Sequence, residues 1–404
     1  MGRQAAYVLC LAAGLGLLIA SAASAKPRAG ETEVTVRPVA DAKTFPLVIP
    51  LPPRWLNSPV TARDTTGRVY SPALVNSGDS EYYGVLLHDL RAGEELKMIA
   101  KKRRGGAPAQ AQGPTARVNK SGDDLEVTLE GQPFATIRTN GGPKPYVWPV
   151  WGPGGVEITR NYPMKDVEGE DKDHPHHRGM WFTHGDVNGV DFWAEGDGKG
   201  KIVVRSVKTE EHPDCAIVKL ADDWIAADGK KVCADEQTFV FWGMDDPRVI
   251  DVFLCIRASE GPLTFGDTKE GSFGIRVPKW MTVKAGTGNM VNSAGALDAN
   301  VWGKRATWVD CWGTDGKQTS GVAIVEGPGN PRFPSYWHAR DYGLFAANPF
   351  GIKDFAGEQA AQAPIAIKKG EKLELRYRVV LHSGDAGTAG IAPFADLTLQ
   401  TPKR

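Results

Sequence analysis

The sequence predicts an all-β chain, a small N-terminal β-sandwich followed by a large β-supersandwich. Three observations lead there. The apolar residues recur with period two in run after run. Glycine (47) and proline (28) are dense enough to break helices throughout, so that helix is expected in under about 15% of the chain. Turn chemistry also falls between the runs: Asp228-Gly229 marks a hairpin, and Glu130-Gly131-Gln132-Pro133 separates another pair.

In chain order, residues 1–25 read as a secretory signal peptide. Arg3 supplies the positive start, Tyr7 to Ala20 is nearly continuous apolar sequence, and Ala23-Ser24-Ala25 offers small residues for cleavage before Lys26. The run is short for a membrane span of about 20 residues, and no other segment is long and apolar enough to be one. A secreted or periplasmic chain starting near Lys26 is the expectation. Residues 26–100 are expected to form the N-terminal sandwich. Lys101 to Ala116 (KKRRGGAPAQAQGPTA) has no apolar period and reads as a linker, and residues 117–404 as the catalytic sandwich. Strands are predicted at Thr32 to Pro38, Leu125 to Leu129, Lys201 to Val207, Val232 to Phe241, Val249 to Ile256 and Leu373 to Leu381. Equal numbers of basic and acidic residues, 48 of each, give no charge excess toward nucleic acid. Cys215, Cys233, Cys255 and Cys311 lie in strand-like stretches, where two disulfides or four buried thiols are both compatible with an oxidising compartment.

The chemistry concentrates in Asp173 to Trp193 (DHPHHRGMWFTHGDVNGVDFW), which holds four of the eight histidines. Pro175 excludes a central ladder position and biases His174 to an extended conformation, so the histidines are expected on a loop or the approach to a strand running from Arg178 to His184. Three chemistries fit the cluster. Histidine acid-base catalysis on a carbohydrate comes first, because imidazole titrates near neutrality. A metal site of His174, His176 and His184 comes second, with copper or another divalent ion as the possible cofactor. The third is a hydrogen-bonded structural loop. Gly266 to Arg276 and Glu326 to Arg340, with Tyr342 to Phe345 behind it, carry the same mixture of charge, aromatic rings and glycine. All three segments are expected to meet in one cleft.

His177 and His184 are the expected acid and base, with Glu270 orienting one of them. Lys269, Arg178 and Arg276 would neutralise a carboxylate or oxyanion. Tyr146, Arg160, His176, Asn188, Asp191, Trp193, Asp267, Trp337, His338 and Arg340 are the expected ligand wall, suited to a glycan or sugar acid. His174 is expected to position rather than react.

PYVWPVWGPGGVEITRNYPM, DHPHHRGMWFTHGDVNGVDFW, FGDTKEGSFGIRV, GPGNPRFPSYWHAR and YGLFAANPF together resemble a family of secreted bacterial proteins labelled methane oxygenase PmoA-like, otherwise a domain of unknown function. The resemblance covers Pro145 to His382. It implies a fold similar to galactose-mutarotase-like and polysaccharide-lyase supersandwiches, with a role near sugar breakdown. The leading expectation is a lyase, hydrolase or epimerase. A copper- or iron-dependent oxidoreductase, as the family label implies, is the alternative, and a non-catalytic glycan-binding protein is the third.

Overall fold

The computed structural model describes residues 31–397, apart from 37, 39–40, 51–59, 78–79, 103–114 and 358–362. The expected signal peptide and most of the expected linker lie outside the described residues. Among the described residues no helix is long and apolar enough to cross a membrane.

The chain is nearly all β, 51% strand against 7% helix, within the helix limit expected from the sequence. Two antiparallel eight-stranded sheets make the large sandwich. The first runs, edge to edge, through Tyr336–Ala339, Leu344–Asn348, Gly271–Arg276, Met180–His184, Tyr146–Val150, Gln132–Arg138, Asp124–Leu129 and Ala116–Ser121. The second runs through Lys201–Glu211, Cys215–Ile225, Lys231–Trp242, Arg248–Arg257, Lys372–Ser383, Thr319–Glu326, Trp308–Thr314 and Asn289–Asn292. Each strand predicted from Leu125 onward is present and extends by one to four residues at its ends, except the one expected from Arg178 to His184, which begins only at Met180.

The hairpins explain the register. Asp228 accepts from Lys230 N at 3.0 Å and Gly229 takes φ 85°, a left-handed turn that lets Cys215–Ile225 pair back onto Lys231–Trp242. The other turn is shorter than the sequence suggested. Glu130 and Gly131 both have positive φ, 50° and 76°, as a two-residue hairpin loop requires, and Gln132 and Pro133 already belong to the next strand.

The inner faces of the two sheets bury one core, including Met180, Phe182, Phe273, Ile275 and Phe345 from the first sheet and Phe239, Phe241, Val252, Leu254 and Tyr377 from the second. Each sheet therefore has an outer face left to cover. On the second sheet, a four-stranded and a three-stranded sheet of the small N-terminal sandwich do so. Phe45, Leu47, Val85 and Leu87 share a second core with Ile217, Val240, Trp242, Phe253 and Val380. On the first sheet the cover is made of loops, and Tyr146, Trp148, Trp181, Trp193, Leu344 and Ala346 form a separate aromatic layer there. Cys215, Cys233, Cys255 and Cys311 are all buried free thiols, so the described residues are held by packing without a disulfide among them.

Candidate functional site

The strand Met180–His184 sets the geometry. Alternation sends Met180 and Phe182 into the core and Trp181 and Thr183 to the outer face of the first sheet. His184 shares the parity of Phe182 and points inward. The loop before the strand then folds over Trp181. His177 N donates to His174 O at 3.0 Å, closing a four-residue turn, His174-Pro175-His176-His177, that gathers three imidazoles. His174 itself has φ 45°. This corrects the expectation that Pro175 keeps it extended: the turn overrides the local bias, at a strained left-handed position of the kind that concentrates at functional sites.

The rings stack in a column from the cleft mouth to the sheet. Tyr342 and His174 lie 5.0 Å apart, His174 and His177 4.8 Å, and His177 and Trp181 5.3 Å, with interplanar angles of 14°, 8° and 22°. Trp193 bridges sideways, 5.3 Å from Trp181 and 6.0 Å from His338, and Trp302 meets His338 edge-on at 5.2 Å. The column and this bridge bring together residues from 174 to 342.

Charge is organised around Asp173. Its Oδ1 accepts from Arg276 Nη2 at 2.7 Å and from Arg160 Nη1, and its Oδ2 accepts from His174 Nδ1 at 2.7 Å. Burial alone would raise this carboxyl, but Arg276, the His174 hydrogen bond and Arg160 outweigh it and hold it at about 2. An ionised Asp173 fixes the proton of His174 on Nδ1 and leaves the lone pair on Nε2, on a side chain 39% exposed. His177 is the opposite case. It is buried, and Arg276 Nη1 donates to its Nδ1 at 3.2 Å, so its remaining proton sits on Nε2. Burial, followed by His176 and Arg276, pushes its pKa well below the usual imidazole range. It is a neutral N–H donor. His176, half-buried, is pushed down to about 4 by burial and by Lys144.

Several polar atoms on this face are buried without a partner: Trp181 Nε1, Thr183 Oγ1, Trp193 Nε1, Arg276 Nε and His338 Nδ1. Buried polar groups are ordinarily satisfied, so a concentration of orphans marks a place built to meet water or ligand oxygens. Two grooves, of about 590 and 810 Å³, are lined in part by Arg205 and by Phe45 with Phe394, and neither is lined by His174, His176 or His177.

The structure divides the residues expected in one cleft. His176, His177, Trp193, Arg276 and His338 meet there, with Arg340 over Trp302 at 3.7 Å. Lys269 and Glu270 pair with each other at the rim, where Lys269 acts on His338 and Glu270 on Tyr342. His184 does not belong. It is fully buried on the inner face, with Nε2 2.7 Å from Gly266 O and its ring against Phe350 and Phe265. Burial lowers its pKa to about 4. The acid-base pair of His177 and His184 is therefore not assembled, and neither is the metal trio of His174, His176 and His184. Among the described residues, no three His, Cys, Asp or Glu side chains are grouped to hold a metal ion. Trp337 also faces the core, donating from Nε1 to Ala306 O at 2.9 Å.

Other expected ligand residues hold the cleft's frame. Arg178 spends its guanidinium on Glu195 through contacts of 2.8 to 3.1 Å and covers the Tyr146 ring. Arg160, buried, ties Asp173 to the His174 carbonyl. Asp191 caps Trp193 N and Ala194 N and so seats Trp193. Asn188 bridges Pro262 O and Thr264 N, and Asp267 accepts from Ile352 N, Lys353 N and Ala363 N. The sequence reading missed Asp173 as the orienting carboxylate, although it directly precedes His174. It also missed Trp302, which no local pattern marks, and Lys144, a buried ammonium paired with Glu195 at 2.8 Å.

The model of a family of unknown function, DUF6807, matches residues 124–396, which takes in the large sandwich except its edge strand Ala116–Ser121, and every residue of this cleft. The chain belongs to this family. Nothing among the curated proteins matches the DUF6807 chain. Among solved structures, an α-mannosidase from Enterococcus faecalis V583 aligns at 10% identity and a TM-score of 0.38, over 95% of this chain and 44% of its own; the chain spans less than half of that enzyme's length.

Proposed function

We propose that this DUF6807 protein is a secreted enzyme that moves a proton on a polyhydroxylated carbohydrate ligand, with His174 as the general base. The observation that carries the reading is the Asp173–His174 hydrogen bond, 2.7 Å, on an imidazole 39% exposed within a column of stacked aromatic rings. A carboxylate behind one ring nitrogen fixes the tautomer and stabilises the imidazolium formed when the other nitrogen takes a proton. Arg160 and Arg276 keep that carboxylate ionised and immobile.

The other groups divide the remaining work. His177 offers an N–H from a neutral ring, which polarises a substrate oxygen without exchanging its own proton. Burial raises the Tyr342 hydroxyl despite Arg276 and Arg340, so it stays protonated at neutral pH and can return a proton to the product. The orphan indole N–H groups of Trp181 and Trp193 suit oxygen acceptors, and their rings suit the apolar face of a sugar. A lyase, a hydrolase and an epimerase all need this set. The sugar-breakdown role implied by the resemblance agrees with it.

The test is a panel of hexoses, uronates and their oligomers incubated with the purified chain in D2O. Deuterium uptake, new unsaturation and new reducing ends read the three reaction types. On the substrate so found, His174→Ala is expected to lose at least about a hundredfold in turnover. Turnover within a few-fold of wild type would remove His174 from the chemistry.

A further inference from the structure

The mouth of the cleft carries one charge that the protein leaves unpaired. Arg160 and Arg276 share Asp173, Lys144 and Arg178 share Glu195, and Lys269 holds Glu270. Arg340 has no carboxylate partner among the described residues. Its guanidinium is half-buried over Trp302, 3.7 Å from the ring centroid. Stacking on an indole offsets part of its lost hydration but leaves the in-plane N–H donors without an acceptor.

On the same indole stands His338, 5.2 Å from Trp302, 2% exposed, with Nδ1 buried and unpartnered. Nδ1 is thus a buried ring nitrogen whose one hydrogen bond is left for something outside the protein, as donor or acceptor according to the tautomer. Burial, Arg340 and Lys269 push the His338 pKa down to about 3, which keeps the ring neutral at neutral pH. A guanidinium without a carboxylate and an imidazole nitrogen without a partner therefore flank one aromatic ring.

We propose that the cleft is selective for a sugar acid, whose carboxylate pairs with Arg340 while a neighbouring hydroxyl hydrogen-bonds His338 Nδ1. The carboxylate supplies the missing counter-ion, and a planar guanidinium can bind both its oxygens. A neutral sugar supplies the hydroxyl but leaves Arg340 unpaired. This selectivity rests on the proton-transfer cleft proposed above and names its substrate class.

Intrinsic tryptophan fluorescence reports binding, because Trp193 and Trp302 line the place. Purified wild-type chain is titrated with glucuronate and with glucose at low and raised salt. Glucuronate is expected to bind at least about tenfold more tightly than glucose, and less tightly as salt rises. Arg340→Gln is expected to abolish the preference without lowering the melting temperature, and Arg340→Lys to restore part of it. Absence of saturable glucuronate binding, equal affinity for both sugars, or a preference that survives in Arg340→Gln each overturns the proposal. Loss of turnover in His174→Ala with no charge preference would remove this proposal and leave the proton-transfer reading intact.

Discussion

The two eight-stranded sheets bury their inner faces against each other in the same way, and their outer faces differ. The second sheet is covered by the N-terminal sandwich, and the charged groups caught there pair with each other, although Nη1 of Arg378 has no partner. Arg378 Nε and Nη2 bond Asp251 at 2.6 and 2.8 Å, Trp242 Nε1 donates to the same carboxylate at 2.9 Å, and Arg378 Nη2 also reaches Pro46 O. The first sheet is covered by loops, and there the indoles of Trp181 and Trp193 and the ring of His338 keep atoms without partners. A face closed by another sheet selects charges that are paired within the protein, because no ligand will complete them later. A face closed by loops can keep its polar atoms for something that arrives.

The largest expected effect tests the closed side. Arg378→Gln leaves Asp251 buried beside a neutral partner and is expected to cost about 3 to 5 kcal/mol in denaturant unfolding. Turnover per folded molecule should stay at the wild-type level. A variant as stable as wild type would mean that the covered face is not dry. Next comes a pair of histidines. His174→Ala should lose turnover by about a hundredfold with little change in melting temperature, whereas His184→Ala should keep turnover and lose roughly 2 kcal/mol of stability from a core cavity and a broken bond to Gly266. The reverse pattern would exchange the roles of the two faces.

Smaller effects separate the indoles. Trp242→Phe removes a satisfied donor to a carboxylate and is expected to destabilise by about 1.5 to 3 kcal/mol. Trp181→Phe removes an orphan, so unfolding should be unchanged while ligand affinity falls several-fold. Loss of stability in both would show that Trp181 is an ordinary core residue.

The smallest effect concerns Asp222 and Asp235, directly opposed on neighbouring strands in the main core, with Gln237 Nε2 on Asp222 at 3.0 Å. Burial, reinforced at Asp222 by the charge of Asp235, raises both carboxyls, so the folded pair keeps a proton that the unfolded chain releases. Its contribution is intact below the ordinary carboxylate range and declines as pH rises through neutrality. Melting temperature should fall between about pH 6 and pH 9 in wild type and fall less in Asp222→Asn. Equal slopes for the two proteins would assign the proton elsewhere.

The strands were legible because alternation is a property of a few consecutive residues. The cleft was legible in part for the same reason. Period two says that Trp337 and His338 face opposite ways, and likewise Thr183 and His184, but it does not say which neighbour faces the core when Met180, Trp181 and Phe182 are all apolar. Polar identity suggested that His184 joins the other histidines, whereas strand parity with Phe182 decided against it. His174 was assigned a supporting role from its proline neighbour, and a single backbone bond from His177 changed that. Trp302 and Lys144 depend on contacts across long stretches of chain, which no local spacing encodes.

The cover over the second sheet also sets a timetable. Phe45, among the earliest strands, stacks on Phe394 at 5.1 Å, and Pro46 takes its hydrogen bond from Arg378. Nearly the whole chain must be synthesised before the N-terminal sheets meet the surface that completes them. Until then their apolar sides wait exposed beside open strand edges, so assembly of this protein is governed by long-range closure and is expected to be slow and sensitive to crowding by unfinished copies.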